Sequence, residues 1–222
     1  MYNPTGGGQQ NKLAMSNKES LITKALDWAY EQALNGIPGT PTAEDLARDY
    51  LTKKNNNAVK ASKSLCNWQT GKSSAVGFAT GLPGIMALPA TLPADLTSVF
   101  YLQIRMVAAI AVMGGFDLKS DQVKTLVMGC LVGDAVWDII KCAGVEFSKR
   151  ASKELISRIS VETIKKINSG LVKRLVTKGG SKGIINLGKA VPVVGGLVGA
   201  GFDAFSTAAV GKVARIMFIE TS

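Results

Sequence analysis

Near the C-terminus, residues four apart read Gly195, Gly199, Asp203, Thr207, Gly211 and Arg215, and Gly196, Ala200, Ala204 and Ala208 form the adjoining row. Positions at that spacing line up on one face of an α-helix. Small residues along the face let two helix backbones approach closely, as they do between membrane helices and also inside soluble bundles. A strand is a poor alternative: Gly195, Gly196, Gly199 and Gly201 interrupt the only β-branched run, Val191 to Val198, and apolar/polar alternation is absent elsewhere. The last helix is predicted from Pro192 to about Phe218.

The same period recurs upstream. Leu21, Ile22, Ala25, Leu26, Ala29, Tyr30, Ala33 and Leu34 predict a first helix, which Gly36 and Pro38 stop. Thr42 with Asp45 three residues on has the form of an N-cap with an acidic first turn, and Asn55, Asn56 and Asn57 end that second helix. A third starts near Ala58. Pro93 to Met113 forms another, closed by Gly114 and Gly115, and a helix is expected from the N-cap Ser120 through Lys141. Residues 147 to 178 read as amphipathic helix with Leu155, Ile159, Ile164, Ile167, Leu171 and Leu175 inward. The expected fold is all-α: one compact domain over 20–222, of about seven to nine helices with glycine-rich close packing. The Gly-, Gln- and Asn-rich leader, 1–19, is expected to be disordered.

Residues 73 to 94 carry no charge over 22 positions, long enough to span a bilayer, yet Pro83, Pro89 and Pro93 break such a helix. Ala190 to Phe202 is uncharged over only 13 residues, too short to span. A peripheral or re-entrant arrangement is the expectation for both. No basic stretch followed by an apolar one opens the chain, so a cytoplasmic location at the inner face of the cell membrane is expected. Cys66, Cys130 and Cys142 have no C-x-x-C spacing and read as small buried hydrophobes in a reducing compartment.

Formal charge is +10, and residues 141 to 189 hold 12 Lys/Arg against Glu146, Glu154 and Glu162, a local +9. Lys149, Arg150, Lys153, Arg158, Lys165, Lys166, Lys173, Arg174, Lys178 and Lys182 form a candidate face for anionic lipid. It is also the pattern of a merely solvated helix face. Nucleic acid fits poorly, because Phe147 is the one aromatic among these cations and stacking platforms need several.

Three acids interrupt apolar helices. Asp95, two residues after Pro93, suits a first helical turn. Asp134 and Asp203 read as mid-helix and buried, needing Arg105, Lys189, Lys212 or Arg215 as partners, or a proton. With Gln103, Asp138 and Thr207 they make up a candidate buried polar site: Asp95, Gln103, Arg105, Asp134, Asp138, Lys189, Asp203 and Thr207. The chain has no His, which removes Ser-His-Asp and Cys-His catalysis and the commonest zinc ligand. Gly71-Lys72-Ser73 ends like a phosphate-binding loop, but Cys66 stands where that loop needs Gly. Asp134 with Asp138 offers two metal oxygens and no evident third, so neither metal nor cofactor is expected.

Several blocks resemble the EcsC family of bacterial proteins. They are Ala25-Leu26-Asp27-Trp28-Ala29-Tyr30 with Gly36-Ile37-Pro38-Gly39, Leu92-Pro93-Ala94-Asp95-Leu96, Gln103 through Ala111, Gly133-Asp134-Ala135, and Asn186 through Gly196 continuing to Phe202-Asp203-Ala204. The resemblance covers about 20 to 218. It implies a bacterial, helical, membrane-proximal protein from a family named after one encoded beside an ABC transporter, and carries over no catalytic residue. The expected function is therefore non-enzymatic, with an anionic membrane surface or a membrane protein such as a transporter as partner and homo-oligomers possible. Two alternatives stand beside it: a helical ligand-binding protein or enzyme with an Asp-lined cavity, and a membrane-perturbing effector.

Overall fold

The computed structural model describes residues 6–74, 94–146, 152–182 and 196–219, with side chains for 12–71, 97–146, 152–177 and 207–219. Among the described residues every regular element is helical, in the order α1 (Gly6–Asn35), α2 (Ala43–Lys53), α3 (Ala58–Ser74), α4 (Ala94–Met113), α5 (Asp121–Gly129), α6 (Ala135–Cys142), α7 (Lys153–Ser157), α8 (Val161–Lys182) and α9 (Gly196–Phe218).

Helix α4 is the centre of the fold. From Tyr101 to Ala111 each residue is buried, so over this stretch the helix has no solvent face. A helix apolar on all sides must be enclosed by protein or by lipid, and here α1 and α2 cover it on one side while α9 and α3 cover it on another. Ile104 and Ile110 are fully buried, each worth about 1.5–3 kcal/mol of transfer free energy. Among the described residues no helix is long and apolar enough to cross a membrane.

The predicted punctuation explains most helix ends. Thr42 Oγ1 accepts the Asp45 N–H at 3.0 Å, and Ser120 Oγ accepts that of Val123 at 3.4 Å. Asn57 Oδ1 accepts the Lys60 N–H at 2.9 Å and so opens α3. Helix α1 begins upstream of Ser20, but Leu13 and Met15 are exposed and packing starts at Ile22.

Two expected helices are divided. The single helix from Ser120 to Lys141 is α5, a 3-10 turn at Cys130–Val132 and α6, because Gly133 adopts φ 63°, ψ −143°, a conformation open essentially to glycine alone. The amphipathic stretch beyond 147 is α7 and α8, separated at Arg158–Ser160; Ile156, Ile159, Ile167, Leu171 and Leu175 face inward, while Leu155 stays 37% exposed instead of buried.

Helices α3 and α9 form the most extensive pairing. Its tightest point is Gly211, where an added β-carbon would lie 2.7 Å from Cys66 Sγ. Gly170 of α8 likewise admits Ile139 of α6, with a β-carbon there falling 2.9 Å from Cγ2. Glycine thus sets the spacing of two helix pairs. Residues 75–93, the proline-interrupted uncharged stretch, lie outside the described residues, as does the start of the helix expected from Pro192.

Candidate functional site

The eight residues of the candidate polar site do not share one environment. Gln103 and Arg105 are both buried on α4, but two positions apart means about 200° of rotation around a helix, so they face opposite ways. Gln103 turns to α9, where its Nε2 donates to Thr207 Oγ1 at 3.4 Å.

Arg105 turns to the α1–α2 connection. Its guanidinium lies 5.3 Å from the Tyr101 ring centroid, and Nη1 donates to the Pro41 carbonyl and to Tyr101 Oη, each at 3.4 Å. Tyr101 Oη is also 2.8 Å from Thr40 Oγ1. Nε is shielded from solvent and has no hydrogen-bond partner among the described residues. This cation spans α4 and the connection after Gly36, and removing it would leave the buried Tyr101 phenol short of a donor while the Pro41 carbonyl, on an exposed residue, turns to water.

Asp134 and Asp138 depart from the expected buried, mid-helix setting. Both are exposed, because Gly133 ends the 3-10 turn and Asp134 becomes the N-cap position of α6 with Asp138 in its first turn. Carboxylates there oppose the helix dipole while staying hydrated, so no buried partner is required. Asp95 lies in the first turn of α4 and Asp203 within α9; their side chains, and all of Lys189, are outside the described residues. Convergence of the acids on one cavity therefore remains outside them too. Among the described residues no group of three His, Cys, Asp or Glu side chains could hold a metal ion.

Lys153, Arg158, Lys165, Lys166, Lys173 and Arg174 are exposed on α7 and α8. Glu154 pairs with Arg158 at 2.5 Å, and Glu162 is the other acid on these two helices among the described side chains. The outer face of α8 thus presents Lys165, Lys166, Lys173 and Arg174 around half its circumference. At its N-terminal end, exposed Leu155 and Val161 (66% exposed) flank Arg158. Lys149 and Arg150 lie outside the described residues, and Lys178 and Lys182 belong to α8 with side chains outside them.

A second polar surface escaped the sequence reading. Helices α1, α5 and α8 border an open cleft of about 530 Å³ whose lining includes Glu19, Asp27, Asp121, Lys124 and Asn168 together with the apolar Leu26 and Leu171. Lys124 Nζ pairs with Asp27 Oδ1 at 2.8 Å and lies 5.6 Å from the Tyr30 ring centroid. Asn168 Oδ1 is shielded and has no partner among the described residues. One signal for the cleft was available: Ser16, Ser20, Thr23 and Asp27 recur at helical spacing beside the α1 core row.

Burial also sets two proton affinities near these elements. The Tyr30 phenol, which donates to the Leu118 carbonyl at 2.7 Å, is pushed well above its ordinary range by desolvation, with Asp117 and Asp121 adding to the effect. The Cys130 thiol is raised by burial alone. Cys142, expected to be buried, is exposed at the end of α6.

Fold and surface together define an all-helical protein built on one enclosed central helix, with a cationic outer face and a polar cleft on the α1 side. The EcsC protein family matches residues 11–219, nearly the whole chain, and this protein belongs to that family. The match begins ahead of residue 20, within α1. Neither the comparison with curated proteins nor that with solved structures finds a match.

Proposed function

We propose that this EcsC-family protein is a non-catalytic module that sits on anionic membrane surfaces at the inner face of the cell membrane through α7 and α8. The observation that carries the reading is the exposed set Lys165, Lys166, Lys173 and Arg174 on one helix, opposed there by Glu162 alone among the described side chains. A cation near an anionic lipid surface contributes about 1 kcal/mol, so four together give useful, salt-sensitive binding. Leu155 and Val161 supply apolar side chains for shallow insertion beside those charges. No spanning helix is needed for this mode of attachment.

Flotation with vesicles of phosphatidylcholine, alone or with phosphatidylglycerol, tests it. Binding is expected only with the anionic lipid, falling as salt rises. Lys165→Glu/Lys173→Glu reverses two charges and is expected to lower partitioning at least about tenfold. Equal flotation on neutral and anionic vesicles, or none on either, would refute the proposal.

A further inference from the structure

We propose that the outer face of α3 is a second docking surface for anionic lipid, across the molecule from α8, so that one molecule bridges two lipid surfaces. This rests on the reading of α7 and α8 as the first attachment. The positive charge of the chain lies in two blocks. Between Asp49 and Asp95 stand Lys53, Lys54, Lys60, Lys63 and Lys72 and no acid, a local +5 beside the +9 of residues 141 to 189. With a total of +10, everything outside the two blocks sums to −4.

The packing order sets the two blocks apart in space. Around α4, α3 meets α2, α2 meets α1, and α1 meets α8. Round the other way, α3 meets α9, α9 meets the 3-10 turn at Cys130–Val132, and that turn and α5 both meet α8. Helices α3 and α8 therefore stand across α4 from each other, with other elements between them on both routes. A flat surface laid on the outer face of α8 leaves that of α3 pointing away from it.

The exposed side of α3 has the chemistry of a membrane interface. Val59, Lys60, Lys63, Asn67 and Trp68 are exposed along it, Trp68 to 45%, while Ala61, Ser62, Leu65 and Cys66 are buried. An indole concentrates at headgroup level in a bilayer, and lysines beside it reach the phosphates with their stems along apolar surface. A merely solvated face mixes both signs of charge and needs no exposed indole. Nucleic acid fits less well, because Trp68 is the one aromatic of α3 and stacking platforms need several. Among the described side chains α3 exposes Lys60 and Lys63, where α8 exposes Lys165, Lys166, Lys173 and Arg174. Helix α8 thus takes the first surface, and α3 the second once the protein is held at high local concentration.

Light scattering from vesicles containing phosphatidylglycerol, mixed with the full chain and followed by flotation of the same samples, tests the proposal. Clustering is expected at low salt and is absent with phosphatidylcholine alone. Lys60→Glu/Lys63→Glu should lower clustering at least about tenfold and flotation less than about twofold, since charges across the molecule are screened from α8. Lys165→Glu/Lys173→Glu should lower both. Tryptophan emission should move to shorter wavelength as vesicles cluster, and Trp68→Phe should remove most of that shift. These are exposed positions, so melting temperatures should stay at the parent value. Flotation without clustering would overturn the proposal and leave the α8 reading standing, while absence of flotation would overturn both. Clustering that survives Lys60→Glu/Lys63→Glu, the mark of bound molecules associating with each other, would also overturn it. So would an emission that does not shift, or capture of duplex DNA in preference to vesicles.

Discussion

Gly211→Ala isolates the close approach of α3 and α9 in a single methyl group. The new carbon would sit 2.7 Å from Cys66 Sγ, 3.3 Å from Cys66 Cβ and 3.5 Å from Met106 Cε. The first of these is about 1 Å inside ordinary non-bonded separation. Relief requires either a new Cys66 rotamer in a packed interior or a wider α3–α9 spacing, and such overpacking costs about 1–3 kcal/mol. Helix propensity works in the opposite direction, since alanine replacing an interior glycine gains about 1 kcal/mol. The net expectation is a loss of about 1 kcal/mol, seen in urea denaturation and as a melting temperature lower by about 2–4 °C for a domain of this size. Cys66→Ala vacates the contested space, so the double variant Cys66→Ala/Gly211→Ala should be more stable than the sum of the single effects allows, by about 1 kcal/mol. A Gly211→Ala protein as stable as its parent, or strictly additive effects, would refute close packing at this point.

Two further outcomes follow from burial. Tyr30 and Cys130 hold their protons in the folded protein to higher pH than in the unfolded chain, so their contribution is complete below about pH 9 and is lost as pH rises through 10 and beyond. Denaturant titrations across pH 7 to 11 should show that decline, and Tyr30→Phe should flatten part of it while costing about 1–2 kcal/mol at neutral pH through the stranded Leu118 carbonyl. Thiol labelling of the native protein should modify Cys142 quickly and Cys66 and Cys130 only on unfolding; fast labelling of all three would contradict the packing around α4 and α9.

Helix type and most helix ends were legible because short-range chemistry determines them. Thr42, Ser120, Gly36 and the Gly114–Gly115 pair act through their own backbone neighbours, and each ends or starts a helix where its chemistry predicts. The division at Gly133 was not legible, since a glycine inside an apolar periodic run reads as packing until its φ is known. That error placed Asp134 in the interior. The polar site suffered from a related limit: Gln103 and Arg105 are close in sequence but diverge around α4, and sequence proximity alone does not say which neighbour each face meets. The cleft needs three helices distant in the chain to be brought together, and the strongest of its clues, the α1 stripe, begins in residues whose composition suggested no structure.

The pairing of α3 with α9 joins segments separated by more than half the chain. During synthesis, α1 to α3 emerge with their apolar faces ready, yet α4 cannot be fully enclosed until the final helix arrives. Contacts of such long sequence separation slow folding, because loop closure must precede the burial that rewards it. The last helix therefore acts as the closing element. A nascent chain stalled before α9 would expose the α3 face around Cys66 and Leu65, the kind of transient apolar surface at which aggregation starts.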